Sequence, residues 1–366
     1  MIVFIICLML TYCVLLFYLY MGLEQSTTHE AEMHPQKNNF SILIPFRNES
    51  EHLPILLQSL SKLNYPTSHF EVICIDDHSD DNSSRLITNF KESHPNFPIR
   101  LLNSSIPSKK AALEYGISHT QHDWIVTTDA DCIIPLNWLE AYNTFLQQND
   151  SHFIAGPVSY ISNGSFLQAF QHLNFLCLQG VTIATFQKKV PFLCNGANLC
   201  FYKPTFYALH GYEGNKHIAS GDDIFLLEKF AKQDISKLNF LAATDCIVQT
   251  HPQSTWHSLF SQRIRWAAKT TAVRNVLGIS TGGIVFFTNA SMFILPFLDP
   301  VLTWTLFSVK FVTDLLFLIK TNQFYKKKIL GITVVISAFL YPIFSTSVVL
   351  LSLTNSYIWK DRRYKK

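Results

Sequence analysis

Four polar motifs in this chain could carry chemistry, and each adjoins an apolar run. Asp76-Asp77 ends the run Phe70–Ile75 and leads into His78-Ser79-Asp80-Asp81. A carboxylate at the carboxyl end of a buried strand can accept hydrogen bonds from a ribose or a nucleobase. It can equally cap a helix starting near Asp80. Asp129-Ala130-Asp131 ends the run Trp124–Thr128. Alternation along an extended segment puts both carboxylates on one side. Two hard oxygen donors so placed suit Mg2+ or Mn2+ bridging a diphosphate. Gly221-Asp222-Asp223 precedes the apolar run Ile224–Phe230. One of these carboxylates could act as a general base toward a hydroxyl; the pair could also simply favour a helix N-terminus. Gln262-Arg263-Ile264-Arg265-Trp266 is the fourth motif. Its two arginines could clamp a pyrophosphate and its tryptophan could stack on a sugar. A juxtamembrane belt would explain the arginines and the tryptophan too, but it does not require Gln262.

The elements that must hold these groups alternate in type. Phe40-Ser-Ile-Leu-Ile44 is a buried strand by pattern, ending at Pro45. A helix follows, capped by Asn48 or Ser50, with Leu53, Leu56, Leu57, Leu60 and Leu63 on one stripe. Phe70–Ile75 is a second strand and Ile99–Leu102 a third. A helix from about Lys109 and a fourth strand, Trp124–Thr128, come next. This order predicts an α/β domain: a mostly parallel sheet with helices on both faces. Ligands of such sheets bind at the carboxyl ends of the strands, where the acidic motifs fall. Neither GxGxxG nor GxxxxGK occurs, so the common dinucleotide and P-loop readings lack support.

The ends of the chain have another character. Of 366 residues 48% are hydrophobic and 15% charged, against about 25% charged in ordinary soluble domains. Met1–Leu23 carries no charge and is long enough to cross a bilayer; without a basic start or a cleavage site it reads as a retained anchor. Residues 24–39 read as a polar linker. Val276–Leu298, Val301–Ile319 and Ile329–Leu353 are three further apolar segments. Basic flanks at Arg263–Arg274, Lys320–Lys328 and Lys360–Lys366 argue for the cytosol on each side they occupy. Three spans would carry the last basic group across, so a re-entrant or interfacial segment broken at Pro342 is expected. Lys310 and Asp314 stand four apart and are expected to pair. Gly164–Phe186 carries too many amides for a span and reads as an amphipathic helix at the membrane boundary. The eight cysteines show no CxxC spacing and read as reduced thiols. Net charge is +3, too small to imply nucleic acid.

The four motifs in this order resemble family 2 glycosyltransferases of the GT-A fold. The likeness is to the membrane-bound branch containing ceramide glucosyltransferases and cellulose- or chitin-synthase-like enzymes, over about Phe40–Lys269. Ser41-Ile-Leu-Ile-Pro-Phe-Arg-Asn-Glu49 resembles that family's first strand and loop, which implies donor contacts at Pro45, Arg47 and Glu49. The resemblance implies nucleoside contacts at Asp76 and Asp77, a donor-side Lys109, and a metal site at Asp129 and Asp131 for Mg2+ or Mn2+. It implies an acceptor side at Asn195, Gly196, Asp222 and Trp266, and Asp223 as base. Gln262, Arg263 and Arg265 would face the donor diphosphate. Asp222 departs from the branch's usual Glu. The implied protein is an inverting, metal-dependent transferase of the inner cell membrane. It would carry sugar from a nucleotide-sugar donor, a UDP-sugar, to a lipid acceptor, with its catalytic domain in the cytosol. The implied domain plan is an anchor at 1–23, a linker at 24–39, a catalytic domain at 40–275, membrane helices at 276–356 and a basic tail at 357–366. A processive polysaccharide synthase, an inactive scaffold of the same fold and a nucleotidyltransferase are the alternatives. The few membrane segments argue against the first, the complete acidic set against the second, and the absence of a Gly-rich nucleotide loop against the third.

Overall fold

The computed structural model describes residues 1–26, 35, 37–161, 164–214, 221–270, 275–329, 331–354, 357–359 and 362–364. Most of the expected linker lies outside these residues, as do Arg274, Lys360, Lys365 and Lys366. The chain forms two compact units, each discontinuous in sequence. One gathers residues 27–161 and 193–251; the other gathers 1–26, 162–192 and 252–366.

The helices in chain order are α1 (Ile2–Glu24), α2 (Leu53–Leu60), α3 (Ser83–Ser93), α4 (Lys109–Ser118), α5 (Trp138–Gln148), α6 (Phe166–Gln187), α7 (Lys203–Ala208), α8 (Asp222–Asp234), α9 (Trp256–Thr270), α10 (Val276–Ile294), α11 (Pro300–Tyr325) and α12 (Gly331–Thr354). The strands are β1 (Phe40–Phe46), β2 (Phe70–Asp76), β3 (Ile99–Asn103), β4 (Trp124–Thr127), β5 (Cys132–Ile133), β6 (Phe153–Ala155), β7 (Val158–Tyr160), β8 (Leu199–Tyr202), β9 (Leu238–Phe240) and β10 (Val248–Thr250).

In the first unit a seven-stranded sheet has the order β3-β2-β1-β4-β8-β6-β9. The pairs β1–β2, β2–β3, β1–β4 and β6–β9 are parallel, whereas β8 runs antiparallel to both its neighbours. Strands β1 and β2 are buried at every residue, as their unbroken apolar runs require of central strands covered on both faces. Pro45 is tolerated in a central strand for a local reason. Leu43 accepts from the Thr128 N–H on the β4 side. Pro45, two residues on, faces the same way but lies past the last β1–β4 pair. Its missing N–H therefore costs the ladder nothing.

Helix α2 buries Leu53, Leu56, Leu57 and Leu60. Truncating one of these to alanine costs about 2–5 kcal/mol. Its N-cap is His52, not Asn48 or Ser50. Those two are engaged elsewhere, as described below. A second sheet, β5-β10-β7, lies in the same unit.

The other unit contains four helices long and apolar enough to cross a membrane: Ile2–Glu24, Val276–Phe297, Pro300–Tyr325 and Gly331–Leu353. Helix α12 runs unbroken through Pro342. The proline removes one backbone bond, that of the Ala338 carbonyl, and an apolar helix packed on neighbours continues past such a loss. The expected break is thus absent. Helix α6 packs on α1, α11 and α12 and is buried on most of its surface, more than an amphipathic boundary helix would be. At Gly22 of α1 the backbones come together: a Cβ there would stand 2.7 Å from the Ala184 carbonyl oxygen of α6. Lys310 and Asp314 form the expected ion pair, and Tyr12 of α1 donates to the same carboxylate. The basic tail forms a short hairpin of Tyr357–Trp359 against Arg362–Tyr364.

Candidate active site

The catalytic candidates of the sheet unit collect at the carboxyl ends of β1, β2 and β4. The strand order reverses between β1 and β4, because β2 and β3 extend one way and β4 the other. A crevice for ligands opens at such a reversal.

The first two turns are knitted together. Register sets Phe46 opposite Asp76, and the Asp77 N–H donates to the Phe46 carbonyl at 2.8 Å. Asn48 adopts φ 52°, accepts from the Asp80 N–H at 3.0 Å and donates its own N–H to Ser79. Ser50 donates its N–H to Asp81 at 3.0 Å. Asp76 accepts from the Ser79 N–H at 2.7 Å and from the Ser84 hydroxyl. Most of this acidic run therefore builds the turn. Asp77, also buried, stands beside His78 at 3.6 Å, and the Arg47 guanidinium reaches its carbonyl at 3.5 Å. Glu49 contacts His52 at 3.0 Å. Asp81 is held by Ser83 and Ser50; burial works against its charge, but these hydrogen bonds bring its carboxyl down to about 2.

The second group centres on a lysine. Lys109, the first residue of α4, donates to Asp129 at 2.7 Å and pairs with Asp222 at 3.2 Å. Burial alone would lower its pKa, but the carboxylates of Asp129, Asp222 and Asp223 outweigh that and hold it well above the ordinary lysine value. Asp222 is buried and Asp223 half-buried in the first turn of α8. Gly221 turns the chain into that helix with φ 86°. Asp223 accepts from its neighbour Ile224 at 2.8 Å and from the Gly196 N–H at 3.4 Å. A Cβ on Gly196 would come 3.1 Å from the Asp222 carboxylate. The Thr127 hydroxyl of β4 holds the Gly196 carbonyl at 2.8 Å. The helix-cap reading and the chemical one thus coexist: α8 aims two carboxylates at the end of β4.

Beneath this cluster sits Asn198, fully buried. Its amide oxygen accepts from Trp138 and Tyr142, each at 2.8 Å, and its amide nitrogen donates to the Pro157 and Cys246 carbonyls at 2.8 Å. Asn195 accepts from the Ala197 N–H at 3.0 Å. Asp131 accepts from Thr250 at 3.3 Å, and the β5–β10 register brings Thr250 opposite Cys132.

In the helical unit, Gln262, Arg263, Arg265 and Trp266 all lie on α9. Arg263 and Arg265 are two residues apart, so the helix points them to different sides. Arg263 is buried and stacks on Trp266, its guanidinium carbon 4.2 Å from the ring centroid. Trp266 in turn lies 6.4 Å from the Phe175 ring.

Residues 41–205 match the family described as Glycosyl transferase family 2, and residues 124–358, more than half the chain, match Glycosyl transferase family group 2. The chain is a family 2 glycosyltransferase. Among curated proteins it is 33% identical over 97 residues to an undecaprenyl-phosphate 4-deoxy-4-formamido-L-arabinose transferase of Photorhabdus laumondii subsp. laumondii, covering 26% of this chain and 30% of that one. It is 33% identical over 102 residues to a poly-beta-1,6-N-acetyl-D-glucosamine synthase of Staphylococcus epidermidis, covering 28% and 24%. The matched stretch is thus less than a third of either relative's length. A mannosyltransferase from Pyrobaculum calidifontis, solved with GDP-Man and Mn2+, superposes with a TM-score of 0.63 at 14% identity, covering 96% of this chain and 98% of that one. That likeness shows a GT-A fold. With its four long apolar helices, the transferase is a membrane protein.

The donor set of the transferase fits a divalent ion only in company. Asp129 and Asp131 are both partly accessible. No group of three His, Cys, Asp or Glu that could hold a metal forms among the described residues. Mg2+ and Mn2+ are commonly held by one or two carboxylates plus substrate phosphates, which is what this pair could offer. Sequence reasoning missed Thr127 and Thr250, and saw Asn198 only as the end of an acceptor-side loop. Their roles depend on strands β5, β8 and β10, which are too short for periodicity to reveal.

Proposed function

We propose that the transferase moves a sugar, with inversion, from a nucleoside-diphosphate sugar, a UDP-sugar, to an acceptor lipid in the membrane. The observation that carries this reading is the lysine-tied trio Asp129, Asp222 and Asp223 at the end of β4. In this reading the nucleoside rests in the turn of Asp76, Asp77, Pro45, Arg47 and Glu49. Asp76 shapes the turn and Asp77 is the recognition carboxylate. A divalent ion held by Asp129 and Asp131, Mg2+ or Mn2+, supplies charge neutralisation for the departing diphosphate.

Lys109 keeps Asp129 and Asp222 in place and stays charged. Asp223 takes the proton from the acceptor hydroxyl. The hydroxyl oxygen bonds the anomeric carbon from the side opposite the diphosphate, whose C–O bond breaks, so the configuration inverts. Asn195 and Gly196 border the acceptor with Asp222. Gln262, Arg265 and Trp266 keep the diphosphate and acceptor roles that the family resemblance implies.

Five cysteines lie in the sheet unit, Cys74, Cys132, Cys194, Cys200 and Cys246, none in a disulfide, which supports a reducing compartment for it, hence a cytosolic face of the inner cell membrane. Four crossings would return Lys326–Lys328 to that face and carry the tail to the other. Similarity to the Staphylococcus epidermidis synthase supports a second reading, a polymerising enzyme.

The test uses purified protein in native lipid with a panel of nucleotide sugars, with and without Mn2+ or Mg2+. A metal-dependent single-sugar lipid product is expected. A long polymer selects the second reading, and folded protein that turns over no donor overturns both.

A further inference from the structure

Helix α9 carries an apolar stripe at helical spacing: Trp256, Leu259, Phe260, Ile264 and Ala267. Leu259, Phe260, Ile264 and Ala267 pack with Phe170 of α6 and with Phe344 and Val348 of α12. Arg263 falls in the middle of that stripe. It is 7% exposed. Among the described residues, both terminal nitrogens of its guanidinium are buried with no hydrogen-bond partner, and so is the amide oxygen of the adjacent Gln262. No carboxylate among the described residues forms an ion pair with Arg263. Trp266 covers one face of the guanidinium, and Tyr341 of α12 packs against the same cluster.

A permanently charged fork left unpaired in an apolar setting is costly. A planar guanidinium with two unused donor positions matches a phosphate in geometry as well as charge. The surroundings are apolar, and one of the three helices that form them, α12, is long and apolar enough to cross a membrane, so an anion carried on a hydrocarbon tail suits the position.

We propose that Arg263 is the headgroup anchor for a lipid phosphate monoester. This adds a lipid-binding site to the proposed transfer and does not rest on that reading. It also separates the two arginines of the motif: Arg263 serves the lipid and Arg265 the donor.

The experiment uses full-length protein in phosphatidylcholine nanodiscs. Binding of undecaprenyl phosphate is read by native mass spectrometry, against undecaprenol and against phosphatidylglycerol, in the wild type, Arg263→Lys and Arg263→Met. Thermal unfolding shows that each variant is folded, and donor KM is measured in parallel. Wild-type protein is expected to retain the phosphate monoester over both competitors. Arg263→Met should weaken that retention about tenfold to a hundredfold, the worth of a charge-assisted pair, with Arg263→Lys between, while donor KM stays within about twofold.

Equal retention of undecaprenol, or retention unchanged in Arg263→Met, overturns the proposal. So does preference for phosphatidylglycerol, which would make Arg263 a contact for bulk lipid. A raised donor KM with unchanged lipid binding also overturns it, returning Arg263 to the donor. Arg263-dependent binding without any sugar transfer would keep the site and remove the transfer reading.

Discussion

Lys109 and Arg263 are both cations drawn largely out of water, and the chain surrounds them in opposite ways. Lys109 has carboxylates on three residues, two of them within 3.2 Å. Arg263 has an indole ring and, among the described residues, two donor positions without a partner. A buried cation with its own counter-charges is a structural tie that also positions those charges. One without them leaves room for a counter-charge from outside, as proposed above for Arg263. Among the described residues, the sheet unit supplies the counter-charges of Lys109, whereas the helical unit supplies none to Arg263.

The largest expected effect tests whether the completed cluster is the chemical centre. Asp223→Asn should lower kcat by about 10^2- to 10^4-fold, the usual worth of a general base, with donor KM little changed; near-wild-type turnover would remove Asp223 from the chemistry. Next comes the scaffold under the cluster. Asn198→Leu strands the Trp138 and Tyr142 donors and two carbonyls. It should cost about 3 kcal/mol or more, at roughly 1–3 per orphaned group, measured by denaturant unfolding in detergent.

The comparison itself is tested by a pair of substitutions. Lys109→Met should lower stability by about 1–3 kcal/mol because its carboxylates lose their cation. Arg263→Met should leave ligand-free protein as stable as before or more so, since it removes an uncompensated charge. If both substitutions destabilise alike, the contrast fails.

The smallest effect concerns Asp81. Its folded-state pKa, about 2, lies below the unfolded value of about 3.9. Its stabilisation is therefore full above about pH 4 and lost as pH falls toward 2. Asp81 is exposed, so Asp81→Asn should cost under about 1 kcal/mol at neutral pH and nothing near pH 2. A pH-independent difference would sink this account.

Long apolar runs made the parallel half of the sheet readable. Phe40–Ile44, Phe70–Ile75, Ile99–Leu102 and Trp124–Thr128 all became strands within a residue or two. Strands β6, β8 and β9 span only three or four residues, below the length at which any period shows. Asp76 and Asp77 looked equivalent in sequence. The Ser79 and Ser84 contacts that set Asp76 apart come from turn geometry, which spacing does not encode. The likeness to a jointly acting arginine pair hid what the stripe on α9 implies, that position 263 faces inward. Pro342 misled because the proline rule was learned in water. Among packed apolar helices one lost backbone bond does not end a helix.

Tyr12 and Asp314 stand 302 residues apart in sequence, and the Gly22–Ala184 approach also joins segments made far apart in time. Helix α1 precedes both of its partners in the chain, α6 by well over a hundred residues and α11 by far more, so it is made before either of them. The first helix must therefore wait in the bilayer with Gly22 uncovered and Tyr12 unsatisfied. A chain cut short before α11 would therefore leave α1 without the Asp314 partner of Tyr12.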